Sequence, residues 1–259
     1  MALKEFLDRK VKEYNQPAFI AGDPVQVPHL FTKKQDIEIA GFFAASFAWG
    51  NRATIIRKCR ELMQLMDGSP HEFIIGHKEK DRRRFEGFCH RTFNTTDLLY
   101  FVSFLQHHYR RHASLETAFL PGGKFPRRAV GGEPVGECLD HFYGYFFSLE
   151  DVPARTRKHV AAPFKNSACK RLNMYLRWMV RQDRSGVDFG IWKKIRKSVL
   201  ICPLDLHVAR VAKKFGLLTR PASDWQSALE LTKNLRAFDP DDPAKYDFAL
   251  FALGVIERF

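Results

Sequence analysis

The sequence has no CxxC pair, no apolar run of membrane-spanning length, no internal repeat and few acidic residues relative to basic ones. Its five cysteines, Cys59, Cys89, Cys138, Cys169 and Cys202, are scattered and odd in number. That pattern excludes a disulfide framework and fits reduced thiols in a cytoplasm. It also provides no local ligand set for zinc or an iron–sulfur cluster, so neither a metal nor a cofactor is expected. The opening MALKEFLDRKVKEY is amphipathic and charged where a signal peptide needs an apolar core. A bilayer crossing needs about 20 apolar residues, and no such run occurs. A cytoplasmic protein without a membrane partner is expected.

Acidic residues number 29 against 42 basic ones, a formal charge of +13. Such an excess points to a polyanion, nucleic acid first and an anionic membrane surface second, or to an inert basic surface. The hydrophobic fraction of 45% and the 24 phenylalanines argue for a packed core rather than disorder. A chain of 259 residues suits one domain, or two lobes with a site between them.

No convincing alternation of apolar and polar residues marks a strand, so the chain reads as all-α. Leu3, Phe6, Leu7 and Val11 share one face of a first helix over residues 3–15. A proline-punctuated loop, AGDPVQVPHLF, follows. Asp36 is a plausible N-cap for a helix that is apolar nearly all round up to Trp49, as a central core helix would be. Gly50-Asn51-Arg52 breaks it, as a loop that could wedge side chains into a ligand or as an ordinary helix–helix turn. A more polar helix then runs to Met66. KEKDRRR at 78–84 suits a solvated helix face. Another helix is expected from Thr95 to His112, with Leu98, Phe101, Val102 and Leu105 inward. Residues 120–134 hold four glycines and three prolines and suit a connection between lobes or a mobile loop. A short aromatic helix, CLDHFYGYFFSL, comes next. The chain ends in a buried helix marked by Tyr246, Leu250, Leu253 and Gly254. The expected lobes are a core lobe over about 35–150 and a second lobe over about 151–259.

The basic excess concentrates between Arg155 and Lys197, with 13 Lys or Arg against Asp183 and Asp188. Within ACKRLNMYLRWMVR, Leu172, Tyr175, Leu176 and Met179 form an apolar stripe, while Lys170, Arg177 and Arg181 fall on a separate basic one. The polar turn Lys165-Asn166-Ser167-Ala168 leads into that helix. Its backbone N–H groups and the helix dipole suit a phosphate. Lys170 alone is better explained as a lysine that snorkels over the core. Asp205 precedes Val208, Val211, Ala212 and Phe215 at helical spacing, with Gly216 beyond, and reads as an N-cap worth about 1 kcal/mol.

The order of these elements, a polar turn, a lysine helix, a spacer and LDLHVAR, resembles the helix-hairpin-helix DNA glycosylase superfamily. The hairpin corresponds to Phe164–Leu172 and the later motif to Leu204–Val208. Trp49-Gly50-Asn51-Arg52 is similar to that family's wedge loop, and residues 246–254 to its late helix. The glycines of the family hairpin are replaced by Asn166 and Ala168, and the 35 positions from Lys170 to Asp205 exceed the usual spacing. The long spacer is closest to the archaeal 8-oxoguanine branch. The chain also resembles a little-characterised bacterial family that shares CKRLNMYLRWMVR and CPLDLHV.

The resemblance implies a two-lobed helical bundle and base-excision repair of an oxidised purine in double-stranded DNA, with no obligate protein partner. Lys170 would attack the sugar carbon, with abasic-site lyase activity following, and Asp205 would assist. Asn51 and Arg52 would fill the gap left by the flipped base. Lys165, Asn166, Ser167, Arg171, Arg177, His207 and Arg210 would hold the nucleic acid. Trp49, Trp178 and Trp192 are candidates for stacking on the base. The alternative is a non-catalytic nucleic-acid-binding protein on the same scaffold.

Overall fold

The computed structural model describes residues 2–126 and 133–259. Part of the glycine- and proline-rich stretch expected to connect lobes, residues 127–132, lies outside the described residues. The fold is all-α, with helices α1 (Ala2–Tyr14), α2 (Pro17–Ile20), α3 (Lys34–Ser46), α4 (Arg52–Leu65), α5 (Pro70–Gly76), α6 (Thr95–Tyr109), α7 (Pro134–Phe146), α8 (Lys170–Val180), α9 (Leu206–Lys214), α10 (Trp225–Phe238) and α11 (Asp247–Val255). The one ladder among the described residues is antiparallel, β1 (Cys89–His90) with β2 (Phe93–Asn94). Among the described residues no helix is long and apolar enough to cross a membrane. The chain divides into two compact units, one of residues 22–125 and 141–160, the other of 1–21, 126–140 and 161–259.

The unit of residues 22–125 and 141–160 is built on phenylalanine. Every residue of α3 from Asp36 to Ser46 is buried, as expected of a helix apolar all round. Phe42 stacks on Phe101 at 5.5 Å, and Phe119 lies parallel to Phe142 at 4.0 Å. Phe104 and Phe146 approach to 4.4 Å. Glu38, fully buried, accepts from Tyr109 Oη (2.9 Å), Ser114 Oγ (2.5 Å) and the Leu115 N–H (3.0 Å). Three donors offset the cost of burying its carboxyl.

Asp36 is not the N-cap expected of it. The helix begins at Lys34, and Asp36 in its first turn accepts the His71 N–H at 2.8 Å. The reason lies in α5, whose N-cap Ser69 makes no side-chain cap bond. Asp36 supplies that missing acceptor from elsewhere in the chain. Asn51 caps α4 by accepting the Thr54 N–H at 3.1 Å. Gly50 turns the chain at φ +107°, and a Cβ there would stand 2.6 Å from Arg91 Nη1.

In the other unit, α9 ends as its sequence predicts. Gly216 takes φ +68°, its N–H meets the Lys213 carbonyl at 3.1 Å, and the Leu217 N–H meets the Ala212 carbonyl at 2.9 Å. This is a Schellman closure that consumes two orphan carbonyls. The absent side chain of Gly254 lets α11 approach α9, for a Cβ would stand 3.0 Å from the His207 carbonyl. Tyr14 donates to Glu257 at 2.7 Å and Tyr246 to Asp8 at 2.9 Å, tying α1 to the C-terminal segment.

The basic stripe expected on α8 is a correction. Arg177 and Arg181 are only 3% and 2% exposed. Arg177 bonds Asp188 at 3.3 Å and Asp247, while Arg181 bonds Asp183 (2.7 Å), Asp188 (3.0 Å) and Asp242 (3.0 Å). These guanidiniums hold the fold together from inside. Arg177→Ala leaves buried carboxylates short of a cation and should cost about 3–5 kcal/mol in urea unfolding. A loss below about 1 kcal/mol would contradict that role. Gly254→Ala should cost about 1–3 kcal/mol in the same measurement, because the added methyl meets backbone that cannot step aside.

Candidate functional site

The turn before α8 is shaped by two left-handed residues. Pro163–Lys165 forms a single tight turn, and Asn166 follows at φ +56°, a conformation asparagine tolerates better than most residues. Ser167 and Ala168 lead to Cys169, also left-handed at φ +50°. The Ser167 Oγ accepts the Cys169 N–H at 3.2 Å, and Asn173 Nδ2 donates to the Ala168 carbonyl at 3.0 Å. These bonds hold the sharp bend at Cys169 that places Lys170 as the first residue of α8. The left-handed positions are thus Asn166 and Cys169, so Ala168 does not serve as the second hairpin glycine would.

Carboxylates stand at this turn. The Phe164 N–H donates to Asp140 Oδ1 at 3.1 Å, and Asn166 Nδ2 reaches Asp224 Oδ2 at 3.5 Å. Ser167 forms a bridge with Asp224, whose carboxyl also meets Arg220 at 3.1 Å. Bonds from the Ser227 N–H and Arg220 pull Asp224 down to about 2. Of the backbone donors expected to cradle a phosphate, the Lys165 and Asn166 N–H groups bond the Ala162 and Pro163 carbonyls at 3.2 and 2.7 Å, while the Asn166 side chain reaches a carboxylate.

Asp205 is fixed by its role as a cap. Its Oδ1 accepts the His207 and Val208 N–H groups at 2.9 and 3.0 Å. The other oxygen, Oδ2, lies 3.9 Å from Lys170 Nζ. The side chains are 25% and 23% exposed, so both reach solvent while resting on the core. One carboxylate thus closes a helix and faces an amine that opens another. At 3.9 Å the two attract as charges without a formed hydrogen bond.

Two turns along α8 from Lys170, Arg177 makes buried ion pairs that the sequence did not single out. Asp247, the first residue of α11, is bonded to Arg177. Burial first, then the nearby Asp205 and Asp188, raise its carboxyl to about 6 against the opposing pull of Arg177 and Lys170. Asp188 is likewise raised by burial despite Arg177 and Arg181 beside it. The available signal was the spacing of Arg177 seven positions after Lys170, on the same helix face.

The remaining candidates fall into distinct settings. Lys165 is exposed, with its ammonium 5.7 Å from the centre of the exposed Phe164 ring. His207 and Arg210 are exposed on α9, and Arg210 Nη2 donates to the Gly254 carbonyl at 2.7 Å. Arg171 is partly buried, which lowers its guanidinium from the ordinary value. Arg177, buried and ion-paired, has no surface for a phosphate, a correction to its expected role. Trp178 and Trp192, at 0% and 1% exposure, offer no face to a base. Trp192 instead packs edge-on against Tyr175 at 5.3 Å. Asn51 and Arg52 belong to the unit of residues 22–125 and 141–160, whereas Lys170 and Asp205 belong to the other.

Among the described residues no group of three or more His, Cys, Asp or Glu is placed to hold a metal ion. Neither a curated protein nor a solved structure matches the chain. Residues 23–256 do match a family model, and the chain belongs to the family described as "Protein of unknown function (DUF2400)".

Proposed function

We propose that the chain is a DNA glycosylase of the helix-hairpin-helix type with abasic-site lyase activity, acting through Lys170 and Asp205. The observation that carries this reading is the 3.9 Å approach of Lys170 Nζ to Asp205 Oδ2, between two residues 35 positions apart that each open a helix. A surface cap needs no lysine opposite it, and a snorkelling lysine needs no carboxylate.

In this reading the base leaves the stack at a cost of a few kcal/mol and the sugar reaches the lysine. Lys170, as the neutral amine, attacks the anomeric carbon, the bond to the base breaks, and the base departs with a proton from solvent. The resulting amine-linked sugar opens to a Schiff base, from which strand cleavage follows. Asp205 is anchored through Oδ1, so Oδ2 stands as a preorganised negative charge where the sugar develops positive charge. The net charge of +13, with Lys165, His207 and Arg210 exposed in the same unit, supports a nucleic-acid partner. An oxidised purine in double-stranded DNA is the substrate to test first.

Incubation with duplex carrying 8-oxoguanine or an abasic site, with borohydride present, should trap a covalent adduct. Lys170→Ala should abolish it. Asp205→Asn, which keeps a competent helix cap, should slow adduct formation by about 10²-fold or more while leaving the fold intact. No adduct from wild type, or an undiminished one in Lys170→Ala, would sink the proposal. Duplex binding should weaken with added salt, and Lys165→Ala should make it less salt-sensitive. Salt-sensitive binding without any adduct would favour the non-catalytic binding protein instead.

A further inference from the structure

The hairpin β1–β2 closes on two residues. His90 pairs with Phe93, which leaves Arg91 and Thr92 as the turn. So short a turn needs a left-handed residue, a place that glycine or asparagine usually fills. Here Arg91 fills it, at φ +57°. The turn is pinned from several sides. Cys89 Sγ donates to the Arg91 carbonyl at 3.3 Å, and Arg155 Nη2 donates to the Thr92 carbonyl at 2.8 Å. The buried His90 donates through Nε2 to the Phe47 carbonyl at 3.1 Å, and the Phe93 ring lies 4.9 Å from that of Phe47.

The Arg91 side chain is placed as well as its backbone. Its guanidinium lies over the Trp49 ring, 4.7 Å from the ring centre. Gly50 leaves room for it, since a Cβ there would meet Nη1 at 2.6 Å. Trp49, a candidate for stacking on a base, therefore already carries a guanidinium. The neighbouring cations are neutralised. Arg155 meets Asp97 at 3.4 Å, and Lys58, over the Phe88 ring, meets Glu61 at 2.5 Å. Arg91 is exposed, and among the described residues no carboxylate or other acceptor takes its guanidinium N–H groups. A planar fork of free donors held on an aromatic ring has already given up much of the freedom that binding an anion would cost.

We infer that Arg91, seated on Trp49, binds a backbone phosphate of nucleic acid in the unit of residues 22–125 and 141–160. The inference rests on the nucleic-acid reading of the +13 charge, and not on Lys170 as a nucleophile. A guanidinium fork matches two phosphate oxygens at once. Stacking on a ring uses its face and leaves the N–H edge for those oxygens. The contact reads no sequence, and its part is to add one counterion-releasing charge to the footprint. It also accounts for an arginine in a turn position that asparagine would hold with less strain.

The test is duplex binding by the whole protein between about 50 and 200 mM salt, with Arg91→Asn beside wild type. Asparagine suits the left-handed turn, so the variant should keep the hairpin and the wild-type urea midpoint. Its slope of log affinity against log salt should be shallower by about 1. Over that range wild type should then lose about 3–4-fold more affinity than the variant. Arg110→Asn removes the same charge from an exposed residue at the end of α6, and should leave the slope near that of wild type. Gly50→Ala keeps every charge but unseats Arg91, and should weaken binding too. Binding by Arg91→Asn equal to that of wild type, or no weaker than that of Arg110→Asn, overturns the inference and leaves the nucleic-acid reading in place. A lower urea midpoint with unchanged binding overturns it as well, making Arg91 a residue of the fold alone. Wild type that binds no duplex overturns both, as does Arg91-dependent binding to phosphatidylserine vesicles in its stead. Weakened duplex binding in Arg91→Asn with no borohydride adduct from wild type upholds the inference and sinks only the glycosylase reading.

Discussion

The buried arginines of α8 are the constraint on which the rest of this unit depends. Two guanidiniums one turn apart, Arg177 and Arg181, are taken out of water and must be met by carboxylates. Asp188 bridges both; Asp247 meets the first, and Asp183 and Asp242 meet the second. An unmet charge here would cost several kcal/mol, so the segments carrying these four aspartates cannot drift from α8. Phe248 adds a ring face to both cations, 4.3 Å from Arg177 and 5.5 Å from Arg181. Asn15 extends the hold to the end of α1 by donating to Asp183 at 2.5 Å. Lys170, two turns upstream on the same helix, inherits a fixed position from bonds it does not itself make.

What the sequence made legible is local. The cap at Asp205, the Schellman glycine at Gly216 and the buried character of α3 all follow from residues within a few positions of one another. What it hid depends on distance along the chain. A helical wheel places Lys170, Arg177 and Arg181 together but does not say whether their face meets water or protein. The answer lay in Asp242 and Asp247, 61 and 70 positions from Arg181 and Arg177 respectively. Asp36 was misread for the same reason, because the donor it satisfies sits on His71, 35 positions away. The left-handed Cys169 carries no glycine to announce it. Its conformation is held by Asn173 bonding to the Ala168 carbonyl, five positions back, and by Ser167, of which only the serine is a residue that turns favour.

The order of motifs did carry long-range information that periodicity lacks. Nothing in the spacing of Lys170 and Asp205 says that 35 residues of chain return to within 3.9 Å. A resemblance in the order of elements pointed to that proximity, while each residue alone had a sufficient local explanation. Both explanations hold at once in the fold. Asp205 is a helix cap, and it also faces the lysine.

That double use has a physical consequence for the site. A carboxylate free to rotate beside a lysine would give an ill-defined pair, since both side chains lose entropy on meeting and an exposed ion pair returns about 1 kcal/mol or less. Here the rotamer of Asp205 is set by two backbone N–H bonds to Oδ1, so Oδ2 is aimed before any lysine arrives. The position of Asp205 in turn depends on how α9 lies on α11, which the bare Gly254 allows to be close. The negative charge is therefore placed by main chain and packing, and only the lysine is left to move. On the proposed reading of Lys170 as the nucleophile, it must leave its partner to attack, and an ion pair held at 3.9 Å without a formed hydrogen bond leaves it free to do so.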